Sequence, residues 1–291
     1  MAQDGTTGIV TLEPQQGERV RGVAAGLGGT ADADLEITRP ELLEARRTGD
    51  VGLVHSWELV TAVDGPGTRM TIFLSGCPLR CVYCHNPDTM EMKEGTLESV
   101  ESVAKRVTRY RSVFNASGGG LTLSGGEPLF QIAFARRLLK LVHDAGIHTC
   151  IDTSGYLGAR LSDEDLDNID LVLLDVKSGD EATYNAVTKR ELAPTIAFGD
   201  RLSKLGKPVW VRFVVVPGHT DSEENVNNVA DIVARWSDNV ERVEVLPFHN
   251  MGADKWKRIG LPYELEDVTP PTPESVEHVR EVFRSRGLTV F

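Results

Sequence analysis

From Leu53 onward, six short apolar runs alternate with amphipathic stretches, and this alternation restricts the chain to a small set of folds. The runs are RMTIFLSG, GLTLSGG, HTCIDTSG, LVLLDVKS, VWVRFVVVPG and VERVEVLPFH. Between and after them lie TLESVESVAKRVTRYRSVF, PLFQIAFARRLLKLVHDAG, SEENVNNVADIVARWS and TPESVEHVREVFRSRG. Their apolar residues recur every three or four positions, the period of a helix that covers a sheet. Gly146, Gly206 and Gly287 close helical stretches and suit left-handed C-terminal caps. Strands alternating with helices imply a parallel sheet with right-handed crossovers. Six strands make either a doubly wound sheet or an incomplete (β/α) barrel. No GxGxxG follows the first strand, which weakens the nucleotide-binding version of the doubly wound fold.

Each apolar run ends in polar residues. The first leads into a cysteine loop, the second into Ser124–Pro128 and the third into Asp152–Gly155. The fourth ends at Asp175–Ser178, the fifth contains Arg212, and the sixth ends with His249. In a parallel barrel these positions meet on the C-terminal rim, where barrel enzymes place their chemistry. Six such ends in a row argue for an active site, although each residue alone has a plainer reading. Gly125 and Gly126 make a tight turn, or let backbone N–H groups approach a ligand carboxylate. Glu127 is a candidate partner for an ammonium group. Asp152 and Asp175 read equally as helix caps. Lys177 and Arg212 are solvated charges or partners of those aspartates, and an isolated His249 in an apolar frame is a structural residue.

The first loop, CPLRCVYCHN, holds three of the four cysteines, Cys77, Cys81 and Cys84. Three adjacent thiols cannot all pair, and Cys150 is distant in sequence, so a metal site or reactive thiol cluster fits better than disulfides. Spacings of three and then two residues suit three corners of an iron–sulfur cluster. The alternative is structural zinc with His85 or Cys150 as fourth ligand. His85 directly follows Cys84 and would need an awkward backbone, while Cys150 sits in a strand run and reads as a small core residue. Three ligands leave one coordination position open for something else to bind.

The formal net charge of -12 argues against unspecific nucleic-acid binding. No apolar run reaches the ~18 residues of a membrane span, and the first twenty residues have neither the basic start nor the apolar core of a secretory signal. Four cysteines, three of them clustered, suit a reducing cytoplasm. Residues 1–50 are rich in Gly, Ala and acidic residues, with a short helix at RPELLEARR, and read as a flexible or loosely docked extension. Residues 51–291 read as one domain.

CxxxCxxC with Tyr83 before the third cysteine resembles the radical S-adenosylmethionine enzymes. VDGPGTRMTIFLSGCPLRCVYCHNPDT resembles the glycyl-radical-enzyme activases, and FNASGGGLTLSGGEPL, GIHTCIDTSG, LVLLDVK, VRFVVVPG and LPFHNMGADKW follow in the order of the pyruvate formate-lyase branch. Related activases of other glycyl radical enzymes carry a ferredoxin-like insert with eight further cysteines, for which this chain has no room. The resemblance covers about Val54 to Phe291 and gives residues 1–50 no role. It implies a partial (β/α)6 TIM-like barrel, a 4Fe-4S cluster on Cys77, Cys81 and Cys84, and reductive cleavage of S-adenosylmethionine to a 5'-deoxyadenosyl radical. That radical would take hydrogen from a glycine of pyruvate formate-lyase, in a monomeric enzyme served by a flavodoxin- or ferredoxin-like electron donor. By resemblance, Tyr83, Cys84, His85 and Asn86 line the S-adenosylmethionine site beside the cluster, and Gly125, Gly126 and Glu127 hold the methionine moiety. Asp175, Val176, Lys177, Ser178, Gly179, Arg212 and His249 lie beside the nucleoside, ribose or carboxylate. Asp152, Thr153, Asp175 and the carbonyl of Leu173 match a monovalent cation site, and Asp64 borders the entry of the substrate peptide.

Overall fold

The computed structural model describes residues 38–61 and 63–291. Its strands are β1 (Val51–Thr61), β2 (Arg69–Leu74), β3 (Thr96–Ser99), β4 (Gly120–Gly125), β5 (His148–Thr153), β6 (Leu171–Asp175), β7 (Val209–Val215) and β8 (Val240–Pro247). The six apolar runs are β2 and β4 to β8. They lie side by side in chain order and pair in parallel, while β1 pairs antiparallel with both β2 and β3. A doubly wound sheet reverses its order at a switch point. This sheet never reverses, so every crossover puts its helix on the same face and the strands curl into a partial TIM-like barrel. The outer edge of β8 pairs with the chain's own end: Val243 N donates to Thr289 O at 2.8 Å and Val245 N to Phe291 O at 3.1 Å.

The helices are α1 (Arg39–Thr48), α2 (Val100–Thr108), α3 (Arg111–Ser117), α4 (Ile132–Asp144), α5 (Asp163–Asp167), α6 (Glu181–Thr188), α7 (Ala193–Lys204), α8 (Glu223–Ala234), α9 (Ala253–Arg258) and α10 (Pro273–Arg284). The stretch expected as one helix from Thr96 begins instead as β3, because Thr96–Ser99 pair with Val51–Val54. Ser99 then caps α2, its Oγ accepting from Ser102 N at 3.2 Å. Gly146, Gly206 and Gly287 all have positive φ, as caps of that kind require.

Strand side chains alternate in direction, and the two faces of this sheet differ accordingly. Met70, Ile72, Leu74, Leu123, Ile151, Val172, Leu174 and Phe213 are fully buried against Leu138, Val142, Val229 and Phe283 of the helices. Each such side chain contributes roughly 1.5–3 kcal/mol by leaving water. Cys150, Leu171, Leu173 and Trp210 form a separate cluster inside the barrel. Above them the lumen turns polar.

The extension was expected to end at residue 50, yet residues 38–50 pack on the barrel. Thr38 and Glu41 form a capping box, Leu42 is buried, and Arg137 of α4 pairs with Asp50. Gly49 has φ +82°, and a Cβ there would lie 2.2 Å from Ala133 O. Residues 1–37 lie outside the described residues.

Candidate active site

The cysteine loop leaves β2 and is tied down along its length. Gly76 N donates to Thr89 O at 2.7 Å and Cys77 N to Met90 O at 3.0 Å. Arg80 N and Val82 N donate to Thr188 O and Val187 O at 2.8 and 2.9 Å, a short ladder with the end of α6. Trp256 Nε1 of α9 donates to Cys84 O at 2.9 Å. All four thiols are free. Burial pushes the pKa of Cys77 and Cys81 up and that of Cys84 to about 12, so these groups keep their protons until a metal displaces them.

Among the described residues, the group of metal-ligating atoms that lies within 4.8 Å is His55, Asp88 and Glu94. In the His55 group, Arg258 already lies 2.6 Å from Asp88 and 3.4 Å from Glu94.

All three cysteines open on a cavity of about 280 Å³. It is lined as well by Asp64, Tyr83, His85, Asn86, Gly125, Gly126, Asp152, Thr153, Asp175, Lys177 and Arg212. Gly125 has φ +121°, and a Cβ on Gly126 would lie 2.6 Å from Gly76 O and 2.8 Å from Thr89 O. The floor of the cavity therefore stays backbone, pressed against the cysteine loop. Two buried polar atoms of the lining lack a hydrogen-bond partner, Tyr83 Oη and Asp152 Oδ1, the second facing Arg212 Nη1 at 3.4 Å. Buried polar groups are almost always hydrogen-bonded, so Tyr83 Oη fits a ligand.

Arg212 spans the open side of the barrel. Nε donates to Glu244 of β8 at 2.9 Å, Nη1 lies 3.4 Å from Asp152, and Nη2 lies 3.8 Å from Asp64 and donates to Val63 O. Burial alone would lower the pKa of Arg212; the carboxylates of Asp152, Glu244 and Asp175 outweigh it and hold the guanidinium charged. Asp152 moves the other way, to about 6, because burial and the negative charges of Asp175 and Asp64 outweigh Arg212 and the 2.7 Å bond from Ser124 Oγ. Lys177 pairs with Asp175 at 2.8 Å and lies over the Tyr83 ring. Burial would lower its pKa, but Asp175 and the groups beside it raise it well above the usual lysine value.

Six expected residues do not line this cavity. Glu127 is 1% exposed, and its carboxylate accepts from Thr153 Oγ1, Ser154 N, Ser154 Oγ and Leu129 N at 2.7–3.2 Å. With its acceptor sites filled it locks the end of β4 to β5, and the expected ammonium contact is corrected accordingly. Ser178 Oγ and Gly179 N both donate to Asn225 of α8, and Val176 is core. Leu173 lies in the lower lumen cluster. His249 stands behind His85, the two rings stacked at 4.1 Å, and His85 Nε2 donates to His249 O at 3.0 Å. Burial, with His249 adding to it, lowers the pKa of His85. Sequence reasoning missed Met90 and Glu244 in or beside the site. The period of β8 would have found Glu244, two residues before the cavity-lining Leu246.

A sequence profile of the Radical SAM superfamily matches residues 71–229, more than half of the chain. The chain belongs to that superfamily, whose cofactors are a 4Fe-4S cluster and S-adenosylmethionine. Its likeness to two curated relatives places it in the pyruvate formate-lyase-activating enzyme family. It is 42% identical over 243 residues to the pyruvate formate-lyase-activating enzyme of Staphylococcus epidermidis, covering 81% of this chain and 96% of the relative. The protein of that name from Staphylococcus aureus is 40% identical over the same length and shares. A radical SAM methyltransferase from Sphaerobacter thermophilus shares the fold, with a TM-score of 0.56 over 88% of this chain and 81% of the other at 14% identity.

Proposed function

We propose that this chain is the activase of a pyruvate formate-lyase and installs a glycyl radical on it. The observation that carries the reading is that three unpaired thiols share one cavity with a glycine floor and the polar ends of the parallel strands. When bound, the cluster and S-adenosylmethionine supply a carbon radical that removes a hydrogen atom from a glycine α-carbon. The chain's share is to hold, orient and shield. Cys77, Cys81 and Cys84 ligate the cluster. Gly125 and Gly126 keep the floor open for the methionine moiety, and Tyr83, His85 and Asn86 flank it. Lys177, Asp175 and Arg212 form a fixed charge lattice for the carboxylate and nucleoside, with His249 supporting His85. Asp152, Asp175, Thr153 and the Leu173 carbonyl would supply the oxygens that suit a monovalent cation. The hydroxyl of Thr153 already donates to Glu127 and accepts from Gly155 N, so Asp152 carries more of that role. Asp64 lies at the open side, where an extended glycine-bearing loop would enter.

The same reading makes the protein a cytoplasmic monomer that binds neither nucleic acid nor membrane and takes electrons from a flavodoxin- or ferredoxin-like donor. No helix among the described residues is long and apolar enough to cross a membrane. The test is anaerobic reconstitution followed by EPR of the reduced protein with and without S-adenosylmethionine. A 4Fe-4S signal that changes on addition, is lost in Cys81→Ala, and precedes a glycyl radical on added pyruvate formate-lyase is the expected result. A colourless, zinc-loaded protein would overturn the reading.

A further inference from the structure

We propose that Lys255 of α9 is a positioning residue for S-adenosylmethionine, pinning the side-chain amide of Asn86 so that its N–H donors are left for the cofactor. The inference rests on the reading above, which seats the cofactor in the cavity beside the cysteine loop. Lys255 Nζ donates to Asn86 Oδ1 at 2.6 Å. An ammonium group only donates, so the amide oxygen must be the atom turned toward it. Asn86 lines the cofactor cavity, whereas Lys255 lines a separate cavity of about 740 Å³ and does not reach the first. Among the described residues, no hydrogen bond uses Asn86 Nδ2. With the oxygen committed to Lys255, that nitrogen and its two hydrogens are what the amide has to offer a ligand.

The local backbone adds an independent sign. Asn86 stands at the N-cap of the short 3-10 turn Pro87–Thr89, a place where asparagine ordinarily folds its oxygen back onto a backbone N–H. This one makes no such bond. The turn is closed by the main chain instead, Thr89 N and Thr89 Oγ1 donating to Asn86 O at 3.0 and 2.7 Å. The side chain is thus released from capping and given to Lys255. Lys255 in turn has a fixed seat. A Cβ on Gly252 would lie 2.9 Å from Cys84 O, so the start of α9 sits directly against the cysteine loop. The Asp88 side chain, 2% exposed, faces Lys255 Nζ at 3.8 Å and takes Arg258 Nη2 at 2.6 Å. An unpinned amide would offer its oxygen as readily as its nitrogen; a pinned one selects an acceptor atom. S-adenosylmethionine brings two kinds, its α-carboxylate and the ring nitrogens of its adenine.

The test is calorimetric binding to the full chain with its cluster reconstituted and left oxidised. The probes are S-adenosylmethionine and 5'-methylthioadenosine, which keeps the adenosine but has no carboxylate. K255M is expected to bind S-adenosylmethionine about fivefold more weakly, and K255R to stay within about twofold of wild type. K255M/N86A should bind no more weakly than N86A alone, because Lys255 acts through Asn86. N86D keeps a partner for Lys255 but replaces the donor with a carboxylate oxygen, and should bind most weakly, by about twentyfold. A matching loss of 5'-methylthioadenosine in K255M assigns the donor to adenine, and an unchanged affinity for it assigns the donor to the carboxylate. Wild-type affinity in K255M or in N86D overturns the proposal, as do losses in K255M and N86A that multiply in the double variant. N86D decides the matter if K255M fails to assemble a cluster. If the activase reading fails, the wild type forms no glycyl radical on pyruvate formate-lyase yet the order of affinities holds. If this proposal fails, that order collapses while the radical still forms.

Discussion

At the scale of single residues, the site depends on two opposite devices, an atom that must be missing and a charge that is held uncomfortably. Gly126 is the missing atom. Its absent Cβ leaves room for the carbonyls of Gly76 and Thr89, which belong to the backbone that carries Cys77. Gly126→Ala should displace that loop by a few tenths of an ångström and weaken S-adenosylmethionine binding about tenfold or more, read by calorimetry, while iron content stays near normal. Iron loss equal to the affinity loss would mean that the glycine serves the fold alone. Asp152 is the uncomfortable charge. Its pKa rises from 3.8 to about 6, so the folded chain binds a proton that the unfolded chain releases near pH 4. Stability should therefore fall as pH rises from about 4 to about 6, by up to roughly 3 kcal/mol for this group. Denaturation of the metal-free protein at several pH values, wild type against Asp152→Asn, isolates that slope; a variant with the same slope would put the strain elsewhere.

Among the elements, β8 links the chain end to the cavity. Arg242 lies between the rings of Trp210 and Phe291, at 4.2 and 4.1 Å, and 3.5 Å from Glu244, which in turn holds Arg212. Cation–π contacts of this kind contribute about 1 kcal/mol each when partly exposed. Phe291→Ala should cost about 1–2 kcal/mol in stability and raise the KM for S-adenosylmethionine several-fold with kcat little changed, because Arg212 loses the support behind its partner. A fall in Tm with an unchanged KM would show that Glu244 is held without the sandwich. Phe291→Trp should restore both values.

For the molecule as a whole, the parallel strands and their helices were legible because both faces follow simple periods. The six runs needed only their apolar stretches, and the convergence of their ends needed only the direction rule for parallel strands. β1 was not legible as a strand, since only its first four residues are fully buried and its second half is half-exposed. β3 is four residues long and leads straight into a helix whose pattern masks it. Within the site, the cysteines and most strand-end residues were legible by type, but side-chain direction was not. Whether Glu127 faces the ligand or turns to Thr153 and Ser154 depends on contacts between strands, which no local pattern encodes. The grip of α9 on the cysteine loop was equally hidden, because Trp256 and Cys84 are separated by 172 residues in the chain.

That grip gives the protein an optical gauge. An indole bonded to the carbonyl of Cys84 sits within energy-transfer range of any strongly absorbing group on that thiol, so Trp256 emission should dim as the cluster assembles and recover as air destroys it. Intrinsic fluorescence should then follow oxygen damage in real time without a label. Trp256→Phe should remove most of that change, whereas losing it instead with Trp236, buried under α7 and bonded to Asp200, would assign the quenching to a different path.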